Sequence, residues 1–340
     1  MRTRRIVIFL LLLAFSLTGR AAAQVGMGAV RGHVRTASGR APVSYALVRL
    51  VPVGSGAPVW SALTDAAGAF EFIAVPPGTY RLRLERIGYA REQTETFSVA
   101  ADQAVERELR SVPRPIAIAP IVASGSTCTT AENLELNPAV EALWNEAWKG
   151  IETRRAFDEA YHYEFDENQY TFASLKNGGA PDSLKRHVTM DPHTRMNRNR
   201  EGWGQVLPMH MTLEVPDGHE ILDPGFLRLH CLDAGLDEQA GVYTLGFRPR
   251  RARRGRVDIR GELRLDRTTF QVTSIQVEWT DAERVLLQAT VEFADAQVPG
   301  GTVRMPLGAT FSGTAPESMN LGQVEGQVFF VNYGNLRKVR

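Results

Sequence analysis

The sequence predicts a mainly β protein, in which an N-terminal Greek-key β-sandwich precedes a larger curled antiparallel sheet domain with one covering helix. Apolar and polar residues alternate with a period of two through most of the chain, which is typical of half-buried strands. Turn-forming Gly, Pro and Asp separate these runs closely in residues 30–110 and more widely after residue 160. Residues 138–156 instead have the apolar spacing of an amphipathic helix.

The first 23 residues have the three parts of a secretory signal peptide. Three arginines precede an apolar run over residues 6–17, and three alanines follow at residues 21–23. The apolar run is too short to cross a bilayer as a helix. We therefore expect cleavage after Ala23 and export, to the periplasm or to the outside of the cell. An uncleaved membrane anchor is the alternative.

The composition narrows the classes of function. The chain has 340 residues, of which 44% are hydrophobic and 23% charged, as in globular proteins. It has 39 basic and 38 acidic residues, and this balance predicts no nucleic-acid partner. Walker and dinucleotide glycine motifs are missing, so no cofactor is expected.

Residues 24–110 are predicted to form the sandwich. Val30, Gly32 and Val34 begin the alternation of its first strand. A tight turn is predicted at residues 64–68, because Asp65 can bond the backbone ahead of it and a glycine follows. About seven strands without a helical pattern favour a Greek-key arrangement.

Four segments of this region resemble the carboxypeptidase regulatory-like domain. They are VRGHV at residues 30–34, ALVRL at 46–50, TDAAGAF at 64–70 and VPPGTYRL at 75–82. The resemblance implies a transthyretin-like sandwich, grouped with carbohydrate-binding-like folds, and a binding or accessory role. It does not imply peptidase activity, since no histidine begins an H-x-x-E or H-E-x-x-H zinc motif.

A linker, a helix and a sheet are predicted to follow the sandwich. Residues 111–127 are rich in Pro and Gly, as an extended linker would be. Asn137 suits the N-cap of the helix at 138–156, whose apolar stripe includes Trp144 and Trp148. These tryptophans could pack against the sheet or line a ligand site. The domain at 128–340 should contain about eight to ten strands, so the sheet must curl.

Part of this second domain resembles the LolA type of periplasmic lipoprotein-carrier half-barrel. The similarity lies in the run GELRLD at residues 261–266, the strand at 270–279 and the ending at 333–337. It implies a curved sheet that holds acyl chains. A lipid carrier or sensor is therefore an alternative function.

Four arginines mark a candidate surface for anionic groups: Arg250, Arg251, Arg253 and Arg254. They fall on the predicted hairpin tip after the strand at 241–248. Guanidinium groups there could bind lipid phosphates or acidic glycans, and binding to lipid could hold the protein peripherally at an outer membrane. The alternative is a solvated tip in an arginine-rich protein.

Three aromatic residues mark a candidate ligand site on the sandwich: Tyr45, Trp60 and Tyr89. Their strand phase or turn position leaves their rings accessible for stacking on sugar rings. Tyr89 lies in a segment that the resembled family shares, where packing is the alternative role.

Cys128 and Cys231 are the two cysteines of the chain. Export would place both thiols in an oxidising compartment, where one bridge is the simplest outcome. Two separate buried thiols are the alternative.

These observations favour a non-catalytic envelope binding or adaptor protein, with a glycan or an envelope lipid as its partner. The histidines fall on different predicted elements, so no metal site is expected. A hydrolase is the third possible function. Its catalytic residues would be unidentified, because no G-x-S-x-G or other catalytic motif is present.

Overall fold

The computed structural model of the protein describes most of the chain beyond the predicted leader. It describes residues 26–39, 41–54, 60–114, 118, 128–130, 132–175, 182–190, 203–207, 210–213, 216, 218–222, 224–251, 256–281, 284–298, 301–314 and 321–338. The predicted signal peptide and most of the predicted linker lie outside these residues. Within the described part of the chain, the helices are too short or too polar to cross a membrane.

The N-terminal region, from Gly28 to Ser111, is a sandwich of two sheets. Its strands are Gly28–Thr36 (β1), Leu47–Pro52 (β2), Trp60–Leu63 (β3), Ala69–Val75 (β4), Gly78–Glu85 (β5), Glu92–Gln93 (β6), Phe97–Val99 (β7) and Ala104–Ser111 (β8). One sheet has the order β4-β1-β8, with β1 parallel to β8. The other has the order β3-β2-β5-β6, and β7 also pairs with β5. The predicted sandwich is confirmed.

Local chemistry explains the turn between β3 and β4. The Asp65 carboxylate accepts hydrogen bonds from the backbone N–H groups of Ala67 (2.9 Å) and Ala69 (2.8 Å). Gly68 has a φ of +74°, and a Cβ there would collide with the Val34 carbonyl oxygen. Only glycine fits this position without strain.

The helix predicted at 138–156 is Pro138–Ala160 (α1), one turn longer than expected. The Asn137 side chain accepts a hydrogen bond from the N–H of Val140 at 3.3 Å, as an N-cap does. Trp144 and Trp148 pack against the core of the second domain, and their rings stack with centroids 5.5 Å apart. Packing is thus the role that the structure gives both tryptophans.

The C-terminal half is built on a nine-stranded antiparallel sheet. Its strands are Tyr161–Leu175 (β9), Asp182–Met190 (β10), His230–Asp237 (β13), Val242–Pro249 (β14), Val257–Asp266 (β15), Val272–Asp281 (β16), Arg284–Val298 (β17), Gly301–Thr314 (β18) and Leu321–Lys338 (β19). The order is β10-β9-β19-β18-β17-β16-β15-β14-β13, so β13 to β19 form one meander. A separate hairpin contains Gly204–Leu207 (β11) and His210–Leu213 (β12). The predicted large antiparallel sheet is confirmed.

One face of this sheet is apolar and covered by helices. Val140, Leu143 and Ala147 of α1 share a core with the sheet. Two short helices, Gly218–Leu222 (α2) and Pro224–Leu229 (α3), add to the same core. The sequence pattern predicts a strand near 226–232, but residues 226–229 belong to α3 and β13 begins only at His230. Proline suits the start of a helix, and the helix buries both Phe226 and Leu227, which alternating strand positions would separate.

The opposite face of α1 is charged and lies against the sandwich. Glu146, Lys149 and Glu152 are 8%, 6% and 4% exposed. Lys149 Nζ lies 2.6 Å from Glu146 Oε1 and donates to the Tyr89 carbonyl oxygen at 3.1 Å. The N–H of Gly88 donates to Glu146 Oε2 at 3.2 Å. These contacts fix the helix to the loop after β5.

A second set of ion pairs joins α1 to β2 and β5. Arg49 of β2 pairs with Glu152 of α1 and lies 3.7 Å from Glu85 of β5. Arg91 approaches the same Glu85 at 3.5 Å. The buried carboxylates at this junction therefore have cationic partners, as buried charges require.

Candidate functional site

A trough of about 790 Å³ lies on the nine-stranded sheet, crossing from β13 to β19. Its polar lining is on the face opposite α1, as the strand alternation shows. Ile259 and Leu263 of β15 are buried in the core that α1 shares. Arg260 and Glu262 of the same strand therefore point to the other face and line the trough.

Two rows of polar side chains form the floor of the trough. In the first, the Glu262 row, residues on neighbouring strands face one another in the order Glu262, Gln276, Thr290, Thr310, Gln327. In the second, the Arg260 row, the order is Arg260, Glu278, Gln288, Ser312, Glu325. Each row contributes one polar side chain from each strand from β15 to β19. The rows hold amide, hydroxyl, carboxylate and guanidinium groups.

The β13 end of the trough depends on a glycine. Asp233 faces Gly246 across the β13–β14 pair, and a Cβ on Gly246 would lie 2.7 Å from Asp233 Oδ2. The missing side chain leaves room for the carboxylate to lie over β14. Asp233 and Arg248 together line this end.

Neighbouring side chains hold several trough residues in place. Arg260 Nε donates to Glu278 Oε2 at 2.7 Å, and Gln288 Nε2 lies 3.1 Å from Ser312 Oγ. Arg264 Nη1 donates to Glu262 Oε1 at 3.1 Å. The half-buried position of Glu262 raises the pKa of its carboxyl group, although Arg264 acts in the opposite direction. Several floor side chains are thus held in hydrogen-bonded pairs.

We expect Glu262→Gln to raise the thermal midpoint of unfolding at pH 7. Because the folded-state pKa of Glu262 is raised, ionisation at neutral pH disfavours the folded protein. This destabilisation is complete above the folded-state pKa. It should shrink as the pH falls towards the ordinary value of 4.5 and vanish below it. Scanning fluorimetry at pH 7 and pH 3 checks both limits.

The control for this variant is Glu325→Gln, which makes the same change at an exposed position of the Arg260 row. It should leave the midpoint nearly unchanged at either pH. A Glu262→Gln protein less stable than wild type at pH 7 would mean that the Arg264 contact outweighs burial.

The three aromatic residues predicted as a sugar platform each have protein partners. Tyr45 packs in a cluster with Phe157, and burial raises the pKa of its hydroxyl to about 12. Trp60 packs edge-to-face on Tyr80 with centroids 6.0 Å apart. Tyr89 packs on the sandwich core. Tyr45 and the other two belong to different clusters, and their role in stacking stays a prediction.

The arginine tip is described only in part. Arg250 and Arg251 are exposed, whereas Arg253 and Arg254 lie outside the described residues. Arg250 Nη1 donates to the Arg228 carbonyl oxygen at 3.2 Å and lies 3.9 Å from Glu132 Oε2. Binding of anionic surfaces by this tip stays a prediction.

The predicted bond between Cys128 and Cys231 is confirmed. Their Cα atoms lie 4.8 Å apart and the sulfurs are joined. Next to it, the N–H of Leu232 donates to the Thr129 carbonyl oxygen at 2.7 Å. The segment before α1 is therefore tied to β13.

A buried histidine–aspartate contact lies beside this disulfide. His230 is 1% exposed, and its Nε2 lies 3.1 Å from Asp258 Oδ1. Its Nδ1 lies 3.1 Å from the Phe226 carbonyl oxygen. Both ring nitrogens therefore have an oxygen within hydrogen-bond distance. The ring also stacks on Phe226 with centroids 3.7 Å apart.

The sequence pattern predicts the polar face of β15 but not the trough, and it does not predict the strand β18. The alternation places Arg260 and Glu262 opposite the buried residues of β15. Which residues of β16 to β19 lie beside them depends on strand register, which the sequence pattern does not reveal. In the described part of the chain, no three His, Cys, Asp or Glu side chains are grouped as metal ligands.

Comparisons with known proteins identify the N-terminal domain. Residues 29–110 match the model of the carboxypeptidase regulatory-like domain, as the sequence resemblance implied. No curated protein sequence matches the chain.

Solved structures give weak overall likenesses. A candidate carbohydrate binding protein from Pseudomonas aeruginosa is 22% identical over 26% of this chain and 92% of its own, with a TM-score of 0.18. A LolA superfamily protein from Nitrosomonas europaea is 10% identical over 55% of this chain and 91% of its own, with a TM-score of 0.29. Scores this low carry no argument about function.

Proposed function

We propose that this protein, whose N-terminal sandwich matches the carboxypeptidase regulatory-like domain, is a non-catalytic binding protein of an oxidising compartment. We further propose that its trough binds carbohydrate. The observation that carries the proposal is the pair of polar rows on the exposed face of the nine-stranded sheet. The sandwich, held to the sheet through α1, would be the accessory domain.

The chemistry of the rows suits a ligand rich in hydroxyl groups. A sugar hydroxyl both donates and accepts, and amide, carboxylate, guanidinium and hydroxyl side chains offer the matching partners. Gln276 and Gln288 lie on neighbouring strands, about 4.8 Å apart in the sheet direction. Adjacent hydroxyl groups of a sugar could therefore form hydrogen bonds with side chains on adjacent strands.

The same lining disfavours the alternative of an acyl-chain carrier. An acyl chain requires an apolar surface, because polar groups that it covers would lose their hydrogen bonds to water. The apolar face of this sheet already packs against Val140, Leu143 and Ala147 of α1. The trough face offers mainly polar groups instead.

The trough carboxylates favour binding over catalysis. Glu278 is held by Arg260 and Glu262 by Arg264, each at hydrogen-bond distance. A carboxylate held in this way is fixed as a hydrogen-bond acceptor, which suits the binding of hydroxyl groups. The disulfide and the predicted leader support the oxidising compartment.

Removing three exposed trough side chains tests the site. We expect the triple variant Gln288→Ala, Thr310→Ala, Gln327→Ala to bind glycan at least about tenfold more weakly, since each net hydrogen bond is worth about 0.5–1.5 kcal/mol. Binding is measured on an array of neutral and acidic oligosaccharides and then by calorimetry with the best-retained one.

The matched control is Gln297→Ala, Thr302→Ala, Gln239→Ala, which changes exposed residues outside the trough lining. It should bind like wild type. Wild-type protein that retains no sugar on the array, or a trough variant that binds unchanged, would contradict the proposal. In the second case, Trp60→Ala would test the sandwich site instead.

A further inference from the structure

The length of the trough indicates the size of the ligand that would fill it. It crosses seven strands, from Asp233 on β13 to Gln327 on β19. At about 4.8 Å between neighbouring strands, its ends lie about 29 Å apart along the sheet. A single sugar ring would occupy a small part of that length.

The arrangement of groups along the trough is periodic. From β15 to β19, each strand adds one polar side chain to the Glu262 row and one to the Arg260 row. The spacing between these side chains is set by the sheet and so repeats regularly. A ligand whose own hydroxyl groups repeat along its length would meet every strand in the same way. That is the property of a polymer chain lying across the strands.

The charges of the trough limit the kind of polymer. Its described lining carries four carboxylates and two guanidinium groups. Glu278 is neutralised by Arg260, and Glu262 by Arg264 from outside the lining. The two remaining carboxylates, of Asp233 and Glu325, outnumber the one remaining guanidinium group, of Arg248. The lining therefore has an excess of negative charge. Like charges repel, so an acidic polymer would bind poorly.

We propose that the trough binds a single strand of a neutral polysaccharide, laid across β13 to β19. The proposal rests on the proposed function of the trough as a carbohydrate site and specifies its ligand. Affinity should rise with chain length until the trough is filled, because each added ring meets the side chains of another strand.

The test uses the full-length protein and oligosaccharides of two to six sugar units. The neutral probes are β-1,4-glucan, β-1,3-glucan, mannan and chitin fragments, and oligogalacturonides are the acidic probe. We expect at least one neutral series to bind about tenfold or more tightly at six units than at two. We expect the acidic series to bind more weakly at every length.

A length-blocking variant separates this inference from a general effect on stability. Gln327→Trp places a bulky ring at the β19 end, at an exposed position, so the gain in affinity should stop at a shorter oligosaccharide than in the wild type. The control, Gln297→Trp on β17, should leave the full length dependence.

The outcomes are distinguishable. Binding that does not depend on length would overturn the polymer inference and leave the carbohydrate site standing. Stronger binding of the acidic series would overturn the charge argument and the neutral ligand with it. Absence of binding by every sugar probe would contradict the proposed function itself, and binding of extended peptides in that case would identify the other class of ligand.

Discussion

Replacing both Cys128 and Cys231 with serine is expected to destabilise the protein by about 4–5 kcal/mol. The two cysteines are 103 residues apart, and closing a loop of about 100 residues removes about 4.7 kcal/mol of unfolded-state entropy in the chain model. The segment before α1 would also be released from β13. This is the largest effect that we expect from a change outside the hydrophobic cores.

Denaturant unfolding with and without a reductant checks this expectation. Reductant should lower the unfolding midpoint of the wild type to that of the double variant and leave the variant unchanged. If the reduced wild type were as stable as the oxidised protein, the bond would contribute nothing to folding.

The second large effect is expected from His230→Ala, which should cost about 3–5 kcal/mol. The change removes the hydrogen bond between the buried imidazole and the Asp258 carboxylate, and removing one partner of a buried pair is strongly destabilising. It also removes the ring that stacks on Phe226. The double variant His230→Ala, Asp258→Ala should recover part of the loss, because the carboxylate that lost its hydrogen bond to the imidazole is also removed.

His187→Ala is the matched control for this second prediction. His187 also pairs with a carboxylate, with its Nδ1 2.8 Å from Asp166 Oδ1, but its side chain is 58% exposed. An exposed ion pair is screened by water and contributes little. Equal losses from His187→Ala and His230→Ala would show that burial does not set the cost.

The sandwich was predictable because its determinants are local. The turn at Asp65 and Gly68 depends on residues that are four positions apart or fewer, apart from the collision at the Val34 carbonyl. The matching family model covers the same stretch, residues 29–110. Signals of this range can be recognised in the sequence without knowing the rest of the fold.

The candidate site was not predictable because its determinants are distant. Glu262 and Gln327 belong to one row, although 65 positions of sequence separate them. The period of two shows that each residue is on the polar face of its strand, but a polar face by itself is typical of solvated sheet. Only the register of five strands turns ten ordinary polar residues into two continuous rows.

The residues that cover the charged face of α1 could not be predicted for a related reason. Glu146, Lys149 and Glu152 appear in the sequence as the solvent side of an amphipathic helix. Their partners, Arg49 and Tyr89, come from the sandwich far earlier in the chain. Helical periodicity identifies a polar face but does not show what covers it.

The junction between the sandwich and α1 has a consequence for biosynthesis. The sandwich is synthesised before α1. The part of its surface that α1 later covers includes Arg49, Glu85 and Arg91. Charged side chains remain hydrated while the surface is uncovered, whereas an exposed apolar patch would favour aggregation until α1 is made. The ion-paired part of this junction therefore lets the sandwich fold first and remain dispersed until the helix arrives, and Tyr45 and Leu63 then pack on the apolar cluster around Phe157.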